Sequence, residues 1–248
     1  MYHFFAEPSD IGEKDILIGG TDVNHMRNVL RMQPGEQVCV HDKESGREYR
    51  CEILEYLENE VHLKIMWVEE ANKELPSKIY LFQGLPKGDK MELVIQKAVE
   101  LGAYEIIPVA TKRAVVRLDE KKAAAKQKRW QNIAESAAKQ SKRNVIPSVH
   151  EVLKFSEAVC YAENLDVVLI PYEMARGMKE TKRIIGTIKP GQSVGIFIGP
   201  EGGFDEAEIA LAREAGIRPI TLGKRILRTE TAGMAVLSVL MFYLEGEE

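Results

Sequence analysis

Two patterns of apolar residues divide the chain. In residues 1–70, short alternating runs predict β-strands at 16–18, 37–41, 49–57 and 61–68. One helical interruption, 22–32, follows a possible cap at Thr21 and carries apolar residues at helical spacing. This half of the pattern predicts a small β-barrel with one helix.

Beyond residue 77, apolar strands alternate with amphipathic helices. Strands are predicted at 78–84, 106–110, 145–150, 166–171, 194–198 and 219–222, and the main helices at 90–101, 121–142, 180–188, 205–216 and 232–244. Alternation of this kind favours a parallel sheet covered on both faces. The polar segment 71–77 contains Pro76 and marks the boundary, so we expect domains at 1–72 and 73–248.

Two glycine-containing loops follow consecutive strands of the second domain. The strand 194–198 breaks into Gly199-Pro200-Glu201-Gly202-Gly203, and the strand 219–222 leads into the loop 223–233. Ligands bind beyond the carboxyl ends of strands in open α/β sheets. Neither loop carries a known phosphate signature, and ordinary turns are the alternative interpretation.

Charge is unevenly distributed along the 248 residues. The formal net charge is −4, yet residues 112–143 contain eleven basic and three acidic side chains. This segment either binds RNA phosphates or forms a solvated helix face. In the first domain, a rim of Phe4, Phe5, His25, Arg27 and Arg31 suggests RNA contact by stacking and phosphate binding, with surface arginines and a packed histidine as the alternative.

The remaining composition narrows the class of protein. No apolar run is long enough to span a bilayer, and the first residues lack the pattern of a signal peptide. The three cysteines (Cys39, Cys51, Cys160) share no ligand spacing, so no metal site is predicted and the thiols fit a reducing compartment. A cytoplasmic location is expected.

Five ordered motifs resemble the RsmE family of 16S ribosomal RNA uracil-N3 methyltransferases. They are NHMRNVLRMQPGE, KGDKMELVIQKAVELG, WQNIAESAAKQSKRNVIP, GPEGGF and LGKRILRTETA, with departures at Asn24, Ser136 and Lys139. The resemblance implies a PUA-like RNA-recognition barrel followed by a trefoil-knotted SPOUT α/β domain. It also implies S-adenosylmethionine as cofactor, uridine 1498 of 16S RNA in the 30S subunit as substrate, and a homodimer formed through the knotted domain.

The resemblance implies a cofactor pocket, and the chemistry of the reaction and the basic residues of both domains suggest the catalytic and RNA-contacting side chains. Catalysis would fall to Arg228, Glu201 and Glu230. Cofactor binding would fall to Ile170, Pro171, Gly199, Pro200, Glu201, Gly202, Gly203, Leu222, Gly223, Arg225, Ile226, Leu227, Thr231, Ala232 and Met234. RNA contacts are expected from His25, Arg27, Arg31, Lys87, Arg113 and Arg143.

The chemistry assigns provisional roles to three of these side chains. Uridine N3 must lose a proton before it attacks a methyl group, and the resulting charge spreads to O2 and O4, where Arg228 can stabilise it. Glu201 or Glu230 can take the proton if burial raises its pKa. Alternatively, Glu201 bonds a turn backbone and Glu230 is a helix-start carboxylate.

Three other functions are open to this sequence. They are methylation of another ribosomal or transfer RNA base, a non-catalytic role in ribosome assembly, and an ATP-using transferase. The missing phosphate signature disfavours the last of these.

Overall fold

The computed structural model describes residues 1–69, 73–175 and 177–245, and the chain forms two compact units. The first unit comprises Met1–Glu74 and Ala138–Ile146, and the second comprises Leu75–Ala137 and Pro147–Glu248. The predicted boundary at residue 72 lies outside the described residues. Residues 138–146 therefore group with a unit that is distant from them in sequence.

The first unit is built on one five-stranded sheet. Its strands are β1 (Tyr2–Ala6), β2 (Asp15–Gly19), β3 (Gln37–Asp42), β4 (Glu48–Tyr56) and β5 (Glu60–Glu69). They lie in the order β1-β3-β4-β5-β2. The β1/β3 pair is parallel, while the other three pairs are antiparallel.

All five strands send apolar side chains into a single core, which requires the sheet to curl. The core includes one or two residues from each strand, such as Phe4, Ile16, Val38, Ile53 and Leu63. The four predicted strands are all present, with ends shifted by a few residues. The PUA-like β-domain expected from the sequence is thus confirmed as a fold.

Strand β1 is absent from the sequence prediction, and the predicted exposed aromatic rim is wrong. Phe4 and Phe5 are 1% and 5% exposed, so neither ring is available for stacking on a base. Residues 3–6 are buried on both faces of the sheet, which removes the polar alternation that marks a half-exposed strand. The expectation of surface aromatics at this edge therefore fails because β1 is buried on both faces.

The predicted helix 22–32 is shorter and irregular. It begins as α1 (Thr21–Asn24) and continues through His25–Val29 as a wider turn, in which the Leu30 N–H donates to the His25 carbonyl at 2.8 Å. Such i→i+5 bonds define a π-helical turn. The helix ends where Arg31 adopts a left-handed conformation with φ of 54°.

The second unit contains a parallel sheet of seven strands. They are β6 (Lys78–Gly84), β7 (Ala103–Ala110), β8 (Ser148–Val149), β9 (Leu153–Lys154), β10 (Val167–Pro171), β11 (Ser193–Ile198) and β12 (Arg218–Ile220). The order is β12-β10-β11-β6-β7-β8, and β9 also pairs with β7. The predicted strand 145–150 is reduced to the two residues of β8, and β9 is unpredicted.

In the described residues, five helices connect these strands and a sixth follows β12. They are α2 (Lys90–Glu100), α3 (Glu120–Ser141), α4 (Phe155–Ala162), α5 (Met178–Ile185), α6 (Glu206–Glu214) and α7 (Thr229–Leu244). Helix α6 begins with a capping box, in which the Asp205 side chain accepts from the Glu208 backbone N–H and the Glu208 side chain accepts from the Asp205 backbone N–H. In the described parts of the chain, no helix is long and apolar enough to cross a bilayer.

Apolar side chains on alternate strand positions fill the two faces of the parallel sheet. On one face, Phe82 of β6 and Phe197 of β11 stack with ring centroids 4.3 Å apart, among side chains from α4 and α6. Leu81 and Ile196 are one position along in each strand, fully buried, and point to the opposite face. Helices α2 and α7 pack together on that second face, so the sheet is buried on both sides.

Candidate functional site

The carboxyl ends of three neighbouring strands bring three loops together. Strands β12, β10 and β11 are adjacent and parallel, so their carboxyl ends lie at one edge of the sheet. The described residues of the loops that follow β12, β10 and β11 are 221–228, 172–175 with 177, and 199–205, respectively. Strand β6 lies beside β11 and ends at the same edge in Gly84.

These loops enclose a cavity of about 1090 Å³. Its walls come from residues 171–175, 198–204 and 221–229, joined by Lys90, Arg113, Gly177, Met178, Glu206 and Ala232. This volume lies at the upper end of the range found for small-molecule sites. The predicted ligand crevice at the strand ends therefore exists as a cavity.

Close backbone packing explains two of the glycines beside the cavity. A Cβ at Gly84 would lie 2.7 Å from Cδ and 2.8 Å from N of Pro200, so β6 and the turn after β11 touch through their backbones. A Cβ at Gly199 would lie 3.1 Å from Cα of Gly203. Only residues without a side chain allow the turn to fold this tightly.

A buried threonine hydroxyl ties the cavity wall together. Oγ1 of Thr229, the first residue of α7, donates to the Gly199 carbonyl at 2.6 Å and accepts from Nε2 of Gln83 at 2.9 Å. Gln83 lies on β6 and is fully buried, and its amide also donates to the Gly84 carbonyl. One side chain thus links the end of β6, the glycine turn and the start of α7.

Lys90 joins the two candidate carboxylates. Its Nζ lies 2.9 Å from Oε1 of Glu201 and 3.6 Å from Oε2 of Glu230. The Lys87 backbone N–H also donates to Glu201, at 3.2 Å. Burial opposes ionisation of Glu201, but the Lys90 ammonium and backbone N–H groups outweigh it and lower the pKa of this carboxyl. Glu201 therefore does not meet the condition set for a base, a raised pKa, and its bond to the Lys87 N–H fits the alternative turn role.

Arg228 lies at the cavity with an exposed side chain. It precedes the first turn of α7 and lines the cavity beside Thr229. Within the described parts of the chain, its guanidinium makes no hydrogen bond or ion pair. The group is thus available to a ligand.

Most of the predicted cofactor residues line this cavity, and three do not. Ile170 is fully buried within β10, Thr231 is exposed on α7, and Met234 lies further along that helix. The sequence interpretation omitted Lys90, Thr229, Met174 and Met178. Both methionines follow β10. Because β10 lies between β11 and β12, the loop after it could have been predicted to line the same cavity.

The six predicted RNA contacts fall into separate settings. Lys87 and Arg113 lie in the second unit beside Glu201 and at the cavity wall, respectively. In the first unit, His25 is half-buried and Arg31 is exposed. The Arg27 guanidinium donates to the Leu57 carbonyl at 2.6 Å and lies over the Tyr56 ring.

Arg143 does not suit the RNA contact predicted for it. The residue is 6% exposed and forms an ion pair with Glu74 within the first unit. The same carboxylate accepts the Asn144 backbone N–H at 3.1 Å. A buried arginine committed to a carboxylate serves the packing of residues 138–146, which argues against its reaching a phosphate.

Several other basic residues of the 112–143 segment have acidic partners. Nζ of Lys112 lies 3.0 Å from Asp205, Arg129 2.8 Å from Glu92, and Lys139 2.8 Å from Asp22. The Lys112 ammonium, with a backbone N–H, lowers the pKa of Asp205. The segment's excess positive charge is thus partly neutralised by carboxylates elsewhere in the chain.

Two family sequence models match this chain. An RNA methyltransferase domain matches residues 73–241, and an RNA methyltransferase PUA domain matches residues 18–66. The first match alone spans more than half of the chain. The two matches follow the order of the two sheets.

Named relatives and solved structures align over nearly the whole chain. Ribosomal RNA small subunit methyltransferase E of Bacillus subtilis is 42% identical, covering 92% of this chain and 90% of the relative. The protein of that name from Mesomycoplasma hyopneumoniae is 34% identical, with 96% and 98% covered. A crystal structure of the Neisseria gonorrhoeae protein of that name, bound to S-adenosyl methionine, superposes with a TM-score of 0.84 at 34% identity, covering 97% of this chain and 96% of that one.

Replacing Thr229 with valine is expected to destabilise the second unit by about 1–3 kcal/mol, because buried polar groups lose their partner. Urea unfolding followed by circular dichroism measures the change. Thr231→Val, two residues along the same helix but exposed, is the matched control and should stay within about 0.5 kcal/mol of the parent. Equal losses in both variants would contradict a linking role for Thr229.

Proposed function

The chain belongs to the ribosomal RNA small subunit methyltransferase E family, and on this premise we propose that it methylates N3 of one uridine in 16S ribosomal RNA of the small subunit, using S-adenosylmethionine. The observation that carries the proposal is the cavity at the ends of β10, β11 and β12. Its walls contain the two motifs GPEGGF and LGKRILRTETA, and the relative from Neisseria gonorrhoeae was crystallised with this cofactor.

The cavity residues fit such a cofactor. The glycine turn 199–203 brings backbone to the cavity where side chains would fill it, and Leu222, Ile226 and Leu227 offer apolar and backbone groups for a purine. Enzymes that modify a base in RNA take the base out of its stack into a pocket. A cavity of about 1090 Å³ leaves room for a base beside the cofactor.

The chain's own residues supply alignment and charge. When bound, S-adenosylmethionine supplies a methyl group already activated on sulfur. The cavity then holds the uridine so that N3 faces that methyl group, which lowers the entropic part of the barrier. Arg228 stabilises the negative charge that develops on O2 and O4 after N3 loses its proton.

Glu230 is our candidate for the group that takes the N3 proton. Its Oε2 is buried and has no hydrogen-bond partner in the part of the chain that the structure describes, although Lys90 is 3.6 Å away. Glu201 is instead occupied by Lys90 and the Lys87 N–H. We therefore assign Glu201 to holding Lys90 in place between the two carboxylates.

We propose that the two domains divide the work, with residues 1–72 recognising RNA and residues 73–248 carrying the reaction. The PUA match at 18–66 supports the first role. His25, Arg27 and Arg31 would contact RNA from the first domain, and Lys87 and Arg113 from the second. The latter pair lies at or beside the catalytic cavity, where the RNA must approach.

A homodimer in the cytoplasm completes the proposal, and the trefoil knot expected of the family stays a prediction. One face of α7 exposes Val239, Phe242 and Tyr243, with Phe242 84% exposed. Together with Ile185 of α5 they form a shallow apolar groove. Exposed apolar patches of this kind mark protein contacts. We therefore expect sedimentation to show a dimer that Phe242→Arg disrupts. A monomeric parent protein would refute the proposed dimer.

Methyl transfer from labelled S-adenosylmethionine to small subunits lacking the modification tests the proposed function. We expect incorporation at N3 of one uridine near the 3′ end of 16S RNA, located by mass mapping of fragments. Cofactor binding without incorporation would move the target to another ribosomal or transfer RNA base. Absence of both binding and transfer would leave a non-catalytic RNA-binding protein.

Arg228→Ala is expected to lower kcat by about 100- to 1000-fold, as removal of an oxyanion-stabilising group does. Affinity for S-adenosylmethionine, measured by calorimetry, should change little because the charge develops only during the reaction. Arg228→Lys retains the cation and should recover part of the rate. Unchanged turnover in Arg228→Ala would refute the role.

Lys90→Met is expected to move the acid limb of the pH–rate profile to higher pH. The Lys90 ammonium lowers the pKa of Glu201, so without it this carboxyl takes up a proton, and the site loses that negative charge, at higher pH. Lys97→Met on the same helix is the control, since Lys97 pairs with Glu100. Superimposable profiles for Lys90→Met and the parent enzyme would contradict the assignment.

A further inference from the structure

A cluster of buried polar side chains lies on the sheet of the first unit, on the face opposite its apolar core. Strand pairing places His3 beside Cys39 and His41 beside Glu48. His3 is 7% exposed, and the other three residues are fully buried. The methyl-transfer chemistry uses none of these four side chains.

The cluster is too polar for its burial to be explained by packing alone. A ring nitrogen of His3 lies 2.9 Å from one of His41, and the two imidazoles stack. Nδ1 of His41 is buried and lacks a hydrogen-bond partner in the described ranges of the chain, while the buried Oε1 of Glu48 faces the Arg50 guanidinium. Buried groups of this kind are costly unless something binds them.

The donor atoms of three of these residues converge. One ligand atom each from His3, Cys39 and Glu48 lies within 4.8 Å of the other two. Thiolate sulfur, imidazole nitrogen and carboxylate oxygen are the three donor types that hold Zn²⁺, with metal–ligand distances of about 2.0–2.3 Å. We propose that His3, Cys39 and Glu48 form a binding site for Zn²⁺ in the first unit.

Metal binding requires a neutral imidazole at His3 and the loss of one proton from Cys39. Burial, with a smaller contribution from His41, lowers the pKa of His3 to about 4, so its imidazole is neutral at pH 7 and keeps a free lone pair. Burial raises the pKa of the Cys39 thiol to about 11. On binding, the S–H bond breaks, an S–Zn bond forms and one proton passes to solvent, with no change of oxidation state.

His41 is the orienting partner of this site. Metal-bound histidines hold their second ring nitrogen in a hydrogen bond, which fixes the ring and its tautomer. The 2.9 Å contact between Nδ1 of His3 and Nε2 of His41 has this form. His41 is therefore assigned a positioning role.

Two cations compete with a metal for Glu48. Nη2 of Arg50 lies 2.9 Å from Oε1, and Nζ of Lys73 lies 2.7 Å from Oε2. A carboxylate has about four lone-pair positions, so one oxygen can bind a metal beside its cation. Lys73 is 39% exposed and can swing into solvent. The alternative is an ion-pair network that takes no metal.

Metal content and cobalt spectroscopy distinguish a zinc site from an ion-pair network that takes no metal. The full-length protein is stripped with EDTA, dialysed against ZnSO4, freed of loose ions and assayed by mass spectrometry. We expect about one Zn²⁺ per chain, because the three donors converge on one point. Co²⁺ in place of Zn²⁺ should give a thiolate charge-transfer band. Absence of both retained zinc and the cobalt band in the parent protein would overturn the proposal.

Matched variants locate the metal. Cys39→Ser should lose the retained zinc and the cobalt band, while Cys160→Ser, an exposed thiol of the second unit, should keep both. Glu48→Gln should weaken binding at least tenfold, and Lys73→Met should strengthen it by removing a competing cation. Circular dichroism confirms folding of each variant. Full zinc retention in folded Cys39→Ser would also overturn the site.

Discussion

The hydroxyl of Thr229 is the contact on which the architecture of the catalytic cavity depends. It ties the start of α7 to the glycine turn and, through Gln83, to the end of β6. Neighbouring parallel strands bring the end of β6, the glycine turn and the start of α7 to one edge of the sheet, but the strands alone do not fix the loops between them. Hydrogen bonds inside a buried, low-dielectric region then fix them. The Gly84–Pro200 backbone contact closes the same wall from the other side.

Charge in this protein is organised as local pairs rather than as one basic surface. The segment 112–143 looks strongly cationic along the chain, yet Lys112, Arg129 and Lys139 each face a carboxylate in space. Arg228 lacks such a partner in the described parts of the chain and lies where a ligand must approach. Pairing with carboxylates therefore removes part of the positive charge that the sequence of this segment suggests.

The spacing of apolar residues was sufficient to predict most strands and most helices. A strand buried on one face has apolar residues at every second position, and a helix buried on one face has them at intervals of about 3.6 residues. This spacing failed for β1, whose residues 3–6 are buried on both faces, and for the helix at 22–32, where a π-helical turn changes the period. The catalytic cavity was predictable from two glycine loops. The roles of Lys90 and Thr229 were not predictable, because they depend on contacts that are distant in sequence. Lys90 contacts Glu201, more than a hundred positions away, and Thr229 contacts Gly199, some thirty positions away. The His3–Cys39–Glu48 cluster lacked any ligand spacing for the same reason.

The assignment of Ala138–Ile146 to the first unit has a consequence for dissecting the protein. A fragment ending at Glu74 would contain that carboxylate but not Arg143 or Asn144, which pair with it. Removing that segment would take away the Arg143 guanidinium and the Asn144 N–H that bind Glu74. Neither half of this chain is a contiguous module, and helix α3 carries residues of both. An RNA-binding domain transplanted from it needs a covalent graft of 138–146, or a circular permutation that brings the two stretches together.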